Sequence, residues 1–192
     1  MYDQLSNYIK KTIEVSDEDL SIIMSFFKPL RKNKNELLIT PGQISQHTYF
    51  VIKGCLRIFF ENLEGKEVTR YIAFEGQFAT ALIAYITKSP STEYIQALEN
   101  SEILYITHND FNHLLEIVPN WRKFYINYLE KAYVSNANRV MSITTLDAVE
   151  RYHELLKINP KIVSRLPRKI VSSYINVSQE TLSRLKAKLD PQ

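Results

Sequence analysis

The sequence is poor in the residues that build metal clusters, disulfides and phosphate loops. Cys55 is its only cysteine, which excludes an internal disulfide and a cysteine-ligated zinc or iron–sulfur centre. Its four histidines are His47, His108, His113 and His153. His108 and His113 stand five apart, off the i, i+4 spacing that aligns two ligands on one helix face. Only His47 falls in the strand-rich part before residue 100, so a metal held by clustered histidines inside a small barrel is excluded as well. Neither a metal nor a cofactor is expected. No glycine-rich phosphate loop, nucleophile elbow or Cys–His pair occurs, and no enzyme is expected. The longest apolar run, Phe78 to Ile86, is too short to cross a bilayer. The start, MYDQLSNYIKK, has no apolar core of the signal-peptide kind. The expectation is a cytoplasmic protein with no membrane partner.

What is present describes an ordinary globular chain. Of 192 residues, 45% are apolar and 23% charged, enough for one large domain or two small ones. The four glycines, Gly42, Gly54, Gly65 and Gly76, are 12, 11 and 11 residues apart. Between them lie TYFVIKG, CLRIFFENLEG and EVTRYIAFEG, short runs rich in β-branched and aromatic residues. Strands at this interval, each closed by a turn residue, indicate an antiparallel sandwich or barrel. With further runs at Tyr94–Leu98 and Ile103–Thr107, the spacing predicts a β-roll of about eight strands over residues 30–107.

Helical patterns flank the roll. Leu5, Tyr8, Ile9 and Ile13 share one side of a helix over residues 2–13. Ser16 is an N-cap followed by three acids, with Leu20, Ile23, Met24 and Phe27 as the next stripe and Pro29 as its stop. Thr107 and Asp110 form a capping pair ahead of Phe111, Leu114, Leu115 and Val118. A longer helix then runs to about Ile143 with two stripes. Trp121, Tyr125, Tyr128 and Ala132 suit the β-roll. Ile126, Leu129, Tyr133, Asn136, Val140 and Ile143 follow a heptad seam. Packing inside one chain would explain that seam. The preferred reading is a dimer helix, with Asn136 as the polar residue that sets register. Val149, Tyr152 and Leu156 face inward from the next helix, and Asn159-Pro160 opens a short helical turn.

The most informative stretch is RLPRKIVSSYINVSQETLSRLKAKL, Arg165 to Leu189. Ile170, Val171 and Ile175 line the inner side of a short helix that begins near Pro167. Ser172 is small enough for a second helix to come close. Asn176 tolerates the left-handed turn, and Ser178 caps a helix whose Leu182, Leu185 and Leu189 share one side. Its other side carries Gln179, Glu180, Ser183, Arg184, Lys186 and Lys188. Two short helices on a tight turn make a helix-turn-helix. Residues 161–192 hold seven Lys or Arg against Glu180 and Asp190, a net of +5, while residues 1–160 hold 17 against 19. One basic end on a near-neutral body suits contact with phosphates.

A β-roll, a long helix and a terminal helix-turn-helix, in that order, resemble the Crp/Fnr superfamily of bacterial transcription regulators. SQETLSR, residues 178–184, is similar to the start of that family's recognition helix. The YFVIKG run and the Gly65 and Gly76 turns are similar to its cyclic-nucleotide-binding roll. The resemblance implies an α+β fold: a jelly-roll-like antiparallel β-roll with flanking helices (residues 1–118), a dimerisation helix (119–143) and a helix-turn-helix domain (144–192). It implies base contacts from Gln179, Glu180, Ser183 and Arg184. Phosphate contacts fall to Arg168, Lys169, Ser178, Thr181, Lys186 and Lys188, and the dimer seam to Ile126, Leu129, Tyr133, Asn136 and Val140. The implied partners are double-stranded DNA with an inverted-repeat site, a second copy of the chain, and RNA polymerase. The chemistry agrees: Arg pairs bidentately with guanine, Gln pairs with adenine, and Glu accepts from cytosine.

Two departures shape the expected mechanism. Cyclic-nucleotide binders of the family hold the ribose with a Glu in a Gly-Glu-Leu turn and the phosphate with an Arg before a small hydroxyl residue. Here the turn reads Thr80-Ala81-Leu82 and the pair reads Ser91-Thr92. A cyclic phosphate buried opposite no cation is costly, and Lys88 nearby lacks the paired geometry of an arginine. No cyclic nucleotide effector is expected. The alternative is a receptor for a different small molecule that switches DNA binding, with Tyr71, Phe78, Leu82 and Tyr85 as lining residues. The second departure is the end, where only Asp190-Pro191-Gln192 follow Leu189, leaving no evident wing after the recognition helix.

Overall fold

A computed structural model describes residues 1–189. The expectation about a wing falls on Asp190-Pro191-Gln192, outside the described residues, as does the side chain of Leu189. The chain forms two compact units, residues 1–59 with 72–130, and residues 60–71 with 131–192.

The first unit opens on α1 (Tyr2–Thr12), whose Leu5 and Ile9 are fully buried. In α2 (Asp17–Phe26), the Ser16 hydroxyl accepts from the Asp19 amide at 3.0 Å, and three acids fill the first turn, where the helix dipole favours them. Pro29 lies just beyond, in β1 (Lys28–Lys32), an edge strand where a missing N–H is tolerated. Seven more strands follow: β2 (Leu37–Ile39), β3 (His47–Lys53), β4 (Leu56–Glu61), β5 (Glu67–Ala73), β6 (Phe78–Ala79), β7 (Tyr94–Ala97) and β8 (Ser101–Thr107). They make two four-stranded sheets, ordered β1-β8-β3-β6 and β2-β7-β4-β5. The expected roll is present as an open pair of sheets, and the barrel alternative is not.

Glycine is required at the β3–β4 turn. Gly54 has φ +97°, and a Cβ there would lie 2.3 Å from Ser101 Oγ. One helix went unforeseen: the apolar stretch after β6 forms α3 (Leu82–Thr87), closed by Lys88 in the left-handed region at φ 55°. Short apolar runs do not distinguish strand from helix by periodicity.

Apolar residues of α1, α2 and the inner face of the first sheet share one core with α4 (His108–Ile117) and the start of α5 (Trp121–Thr145). Thr107 caps α4, accepting from the Asp110 amide at 3.1 Å. In α5 the deepest pair is Trp121 and Phe124, stacked at 4.3 Å, rather than the expected Trp121 with Tyr125, Tyr128 and Ala132. Tyr125 and Tyr128 are half-buried against the same core. The helix runs two residues past the expected Ile143.

In the second unit α6 (Ala148–Ile158) starts on a complete capping box between Asp147 and Glu150. It buries Tyr152 and Leu155. The expected Val149 and Leu156 do not join them: Val149, in the first turn, is exposed and Leu156 is half-buried. Tyr152 fixes the phase, and Leu155 three residues on lies below it. Pro160 then opens α7 (Pro160–Arg165), which leads to α8 (Arg168–Tyr174) and α9 (Gln179–Leu189). No helix among the described residues is long and apolar enough to cross a membrane.

Candidate nucleic-acid interface

The second unit is built around the α8–α9 pair. Ile170, Val171 and Ile175 of the first helix and Leu182 and Leu185 of the second are all buried. Ser172 is buried too, its hydroxyl turned back to the Lys169 carbonyl at 3.1 Å, so no bulky side chain separates the helices. The chain reverses at Asn176, φ 54°, and the Val177 amide returns to the Ser172 carbonyl at 3.0 Å. Ser178 caps α9, its hydroxyl accepting from the Thr181 amide at 3.1 Å and lying 3.1 Å from the Thr181 hydroxyl.

This scaffold leaves Gln179, Glu180, Ser183, Arg184 and Lys188 exposed, with Thr181 and Lys186 half-buried. Glu180 is held below the usual carboxylate range, first by its hydrogen bond with Ser178 and then by its own backbone amide. The first turn of α9 thus offers one ionised acceptor beside a neutral amide and an arginine four residues on. Arg168 and Lys169 are exposed on α8.

Lys169 already has a partner. Its ammonium lies 2.7 Å from the Glu67 carboxylate of β5. The same strand grips α8 at Ser173, whose hydroxyl donates to the Glu67 carbonyl at 2.8 Å and accepts from the Thr69 amide at 2.9 Å. Arg139 of α5 donates to the Thr69 carbonyl at 2.5 Å, its guanidinium 4.6 Å over the Tyr174 ring. Sequence reasoning missed these ties, because no local period links residues tens to about a hundred positions apart.

On α5 the heptad positions Ile126, Tyr133 and Val140 are exposed, Tyr133 at 75%, while Leu129 and Asn136 are half-buried. Asn136 Oδ1 stands 3.5 Å from Arg70 Nη1.

The effector positions belong to the first unit. Thr80, Ala81 and Ser91 are buried, Leu82 is half-buried and Thr92 exposed, and none of the five is charged. The Thr80 hydroxyl donates to the His47 carbonyl at 2.9 Å. Ser91 is engaged on every side: its amide donates to Gln43 and its carbonyl accepts from Gly42. Its hydroxyl both donates to the Glu93 carbonyl and accepts from the Glu93 amide. Lys88 is exposed.

Of the suggested lining residues, Phe78 and Tyr85 are buried, and burial pushes the Tyr85 hydroxyl up to about 12. Tyr71 and Leu82 are half-buried. A charge the sequence reading passed over lies in this unit. Arg57 is 1% exposed, its guanidinium 4.1 Å over Phe59, which stacks on Tyr94 at 4.7 Å. An arginine inside CLRIFF, two positions before an aromatic on the same strand face, was the available signal. The described residues bring no three metal-ligating side chains together.

Comparison with known proteins gives three findings. The cyclic nucleotide-binding domain family matches residues 29–117. The cAMP-activated global transcriptional regulator CRP of Haemophilus influenzae is 22% identical over 165 residues, covering 81% of this chain and 74% of that protein. The same regulator of Salmonella typhimurium is 19% identical over 165 residues, covering 81% and 79%. Among solved structures, FixK2 from Bradyrhizobium japonicum superposes with a TM-score of 0.74 at 13% identity, over 85% of this chain and 84% of its own. The c-di-GMP-responsive global regulator CLP of Xanthomonas campestris does so with a TM-score of 0.71 at 16% identity, over 91% of both chains.

Proposed function

We propose that the chain, whose residues 29–117 match the cyclic nucleotide-binding domain family, is a regulator of the CRP/FNR kind: a homodimeric, sequence-specific DNA-binding transcription regulator that works without a cyclic nucleotide. The observation that carries this reading is the face of α9. Gln179, Glu180, Ser183 and Arg184 project from a helix held by buried Leu182 and Leu185 and set by the Asn176 turn. Those side chains can pair with base edges in a major groove. Arg168, Lys169, Ser178, Thr181, Lys186 and Lys188 lie around them for phosphate contact, which positions without specifying.

The exposed seam of α5 supports a two-fold dimer through Ile126, Leu129, Tyr133, Asn136 and Val140. A dimer of this kind offers two recognition helices to successive major grooves about 34 Å apart, so the site is an inverted repeat. Neutral residues at Thr80, Ala81, Leu82, Ser91 and Thr92, with Ser91 already engaged, support a roll that takes no cyclic phosphate. Desolvating an anion there would go uncompensated by any of these five.

The test is selection of bound duplexes from a random pool by the purified chain, with and without cyclic AMP. An inverted repeat recovered equally in both is the expected outcome. Recovery only with the nucleotide would restore an ordinary sensor and overturn the pocket assignment. Enrichment of nothing under either condition would overturn the DNA-reading assignment.

A further inference from the structure

Two helix ends converge on one guanidinium. Arg151 of α6, half-buried, donates Nε to the Ile175 carbonyl at 2.9 Å, Nη1 to the Leu146 carbonyl at 2.6 Å and Nη2 to the Asn176 carbonyl at 3.5 Å. Ile175 closes α8 and Asn176 is the left-handed residue that launches α9. Leu146 follows α5 directly, its amide returning to the Ser142 carbonyl at 3.2 Å. Carbonyls at helix C-termini lack intrahelical donors and carry partial negative charge, so a cation between two such ends satisfies both. The planar fork of an arginine can address three acceptors at once, whereas an ammonium on a flexible stem cannot hold them in one plane.

Arg151 is itself well held. It sits one residue past the Asp147–Glu150 capping box, its own amide bonded to the Asp147 carbonyl at 3.0 Å. One turn further, Glu154 accepts from the Ser142 hydroxyl of α5 at 2.5 Å. The end of α5, the first turns of α6 and the α8–α9 turn are thereby joined by polar bonds with direction, in addition to the burial of Tyr152, Ile175 and Leu182. Apolar packing holds α9 down but leaves it free to roll; the two guanidinium hydrogen bonds to its launching turn, at Ile175 and Asn176, do not.

We propose that Arg151 is the positioning residue of the DNA reader, fixing the direction of α9 from the end of α5 and so determining how well its side chains meet base edges. This rests on the reading of α9 as a recognition helix. Arg151 touches no base in this scheme and acts through the turn.

The experiment compares the full chain with Arg151→Lys and Arg151→Met. Affinities are measured for the selected duplex and for a random duplex of equal length, alongside thermal unfolding and amide hydrogen exchange without DNA. In Arg151→Lys the fold persists and affinity for the selected duplex falls by about tenfold, the scale of one lost base match. Affinity for the random duplex holds within about twofold, because phosphate contacts tolerate small rotations. Exchange at Val177 quickens in both variants. Equal losses on the two duplexes, or unchanged affinity on both, would overturn the proposal. If the parent chain selects no sequence, the DNA reading falls and the tie is judged on exchange alone. Faster exchange at Val177 then supports it, and unchanged exchange overturns it.

Discussion

The Lys169 ammonium is 2.7 Å from the Glu67 carboxylate, so one cation assigned to DNA phosphate is already paired within its own unit. Lys169 is 61% exposed and Glu67 28%, which decides how much that matters. An ion pair so open to water contributes on the order of 0–1 kcal/mol. A phosphate can replace the carboxylate at little cost, yet the exchange is not free.

Glu67→Gln therefore raises affinity for any duplex by a few-fold at most, on the scale of one exposed ion pair of roughly 0–1 kcal/mol. It also steepens the fall of log affinity with log salt by up to about one unit, since one more counterion is displaced. Lys169→Ala moves both quantities the other way. Anisotropy titrations of a random duplex over a salt series measure them. If Glu67→Gln leaves both unchanged, Lys169 does not meet phosphate.

Specific and general contacts separate on α9. Arg184→Ala costs roughly 1–3 kcal/mol per half-site and relaxes preference at one base pair, because a bidentate partner of guanine is lost. Lys188→Ala weakens all sequences alike and flattens the salt slope by about one. Competition binding against a set of single-base operator variants distinguishes them. Identical behaviour of the two variants on every sequence would remove Arg184 from base reading.

The seam on α5 predicts the assembly state. Tyr133 and Val140 are exposed, Leu129 half-buried, and apolar side chains at heptad spacing gain by meeting a second copy. Leu129→Glu with Tyr133→Glu sets four carboxylates along that seam in a dimer, where desolvation and like charge both oppose association. Sedimentation equilibrium then gives a monomer. A surviving dimer would locate the interface on another surface.

Much of this was readable before any coordinates. Caps at Ser16, Thr107 and Ser178, the left-handed Asn176 and the strands in TYFVIKG, CLRIFFENLEG, EVTRYIAFEG, Tyr94–Leu98 and Ile103–Thr107 all follow from rules that act over a few residues, and each occurs where those rules put it. The inner face of the α8–α9 pair was legible for the same reason. Phase errors came where two apolar residues compete for one face, as with Phe124 against Tyr125 and Leu155 against Leu156. Adjacent positions on a helix differ by 100°, and composition does not choose between them. The ties of Glu67 to Lys169, Thr69 to Ser173 and Arg151 to Ile175 were illegible. They join residues far apart in the chain through polar groups that look solvated in sequence.

Stability near neutral pH carries a histidine signature. Burial holds His47 below its ordinary value of 6.5, and its ring lies against the Tyr105 ring at 5.1 Å and the Tyr49 ring at 6.0 Å, with the Tyr49 hydroxyl pushed up to about 12 by burial and so supplying no negative charge. His108 is lowered in the same way, by burial first and then by Lys88. When the folded pKa lies below the unfolded one, the unfolded chain binds more protons in the interval between them. The contribution is therefore complete above the unfolded pKa of about 6.5 and is lost as pH falls through the lower folded value. Thermal midpoints of the parent chain fall between about pH 7.5 and pH 5 partly for this reason. His47→Gln keeps a polar side chain of similar reach without the proton, so its midpoint falls less over the same range. A variant whose midpoint tracks the parent at every pH would show that His47 is not titrating against the fold, and would leave His108 to account for the slope.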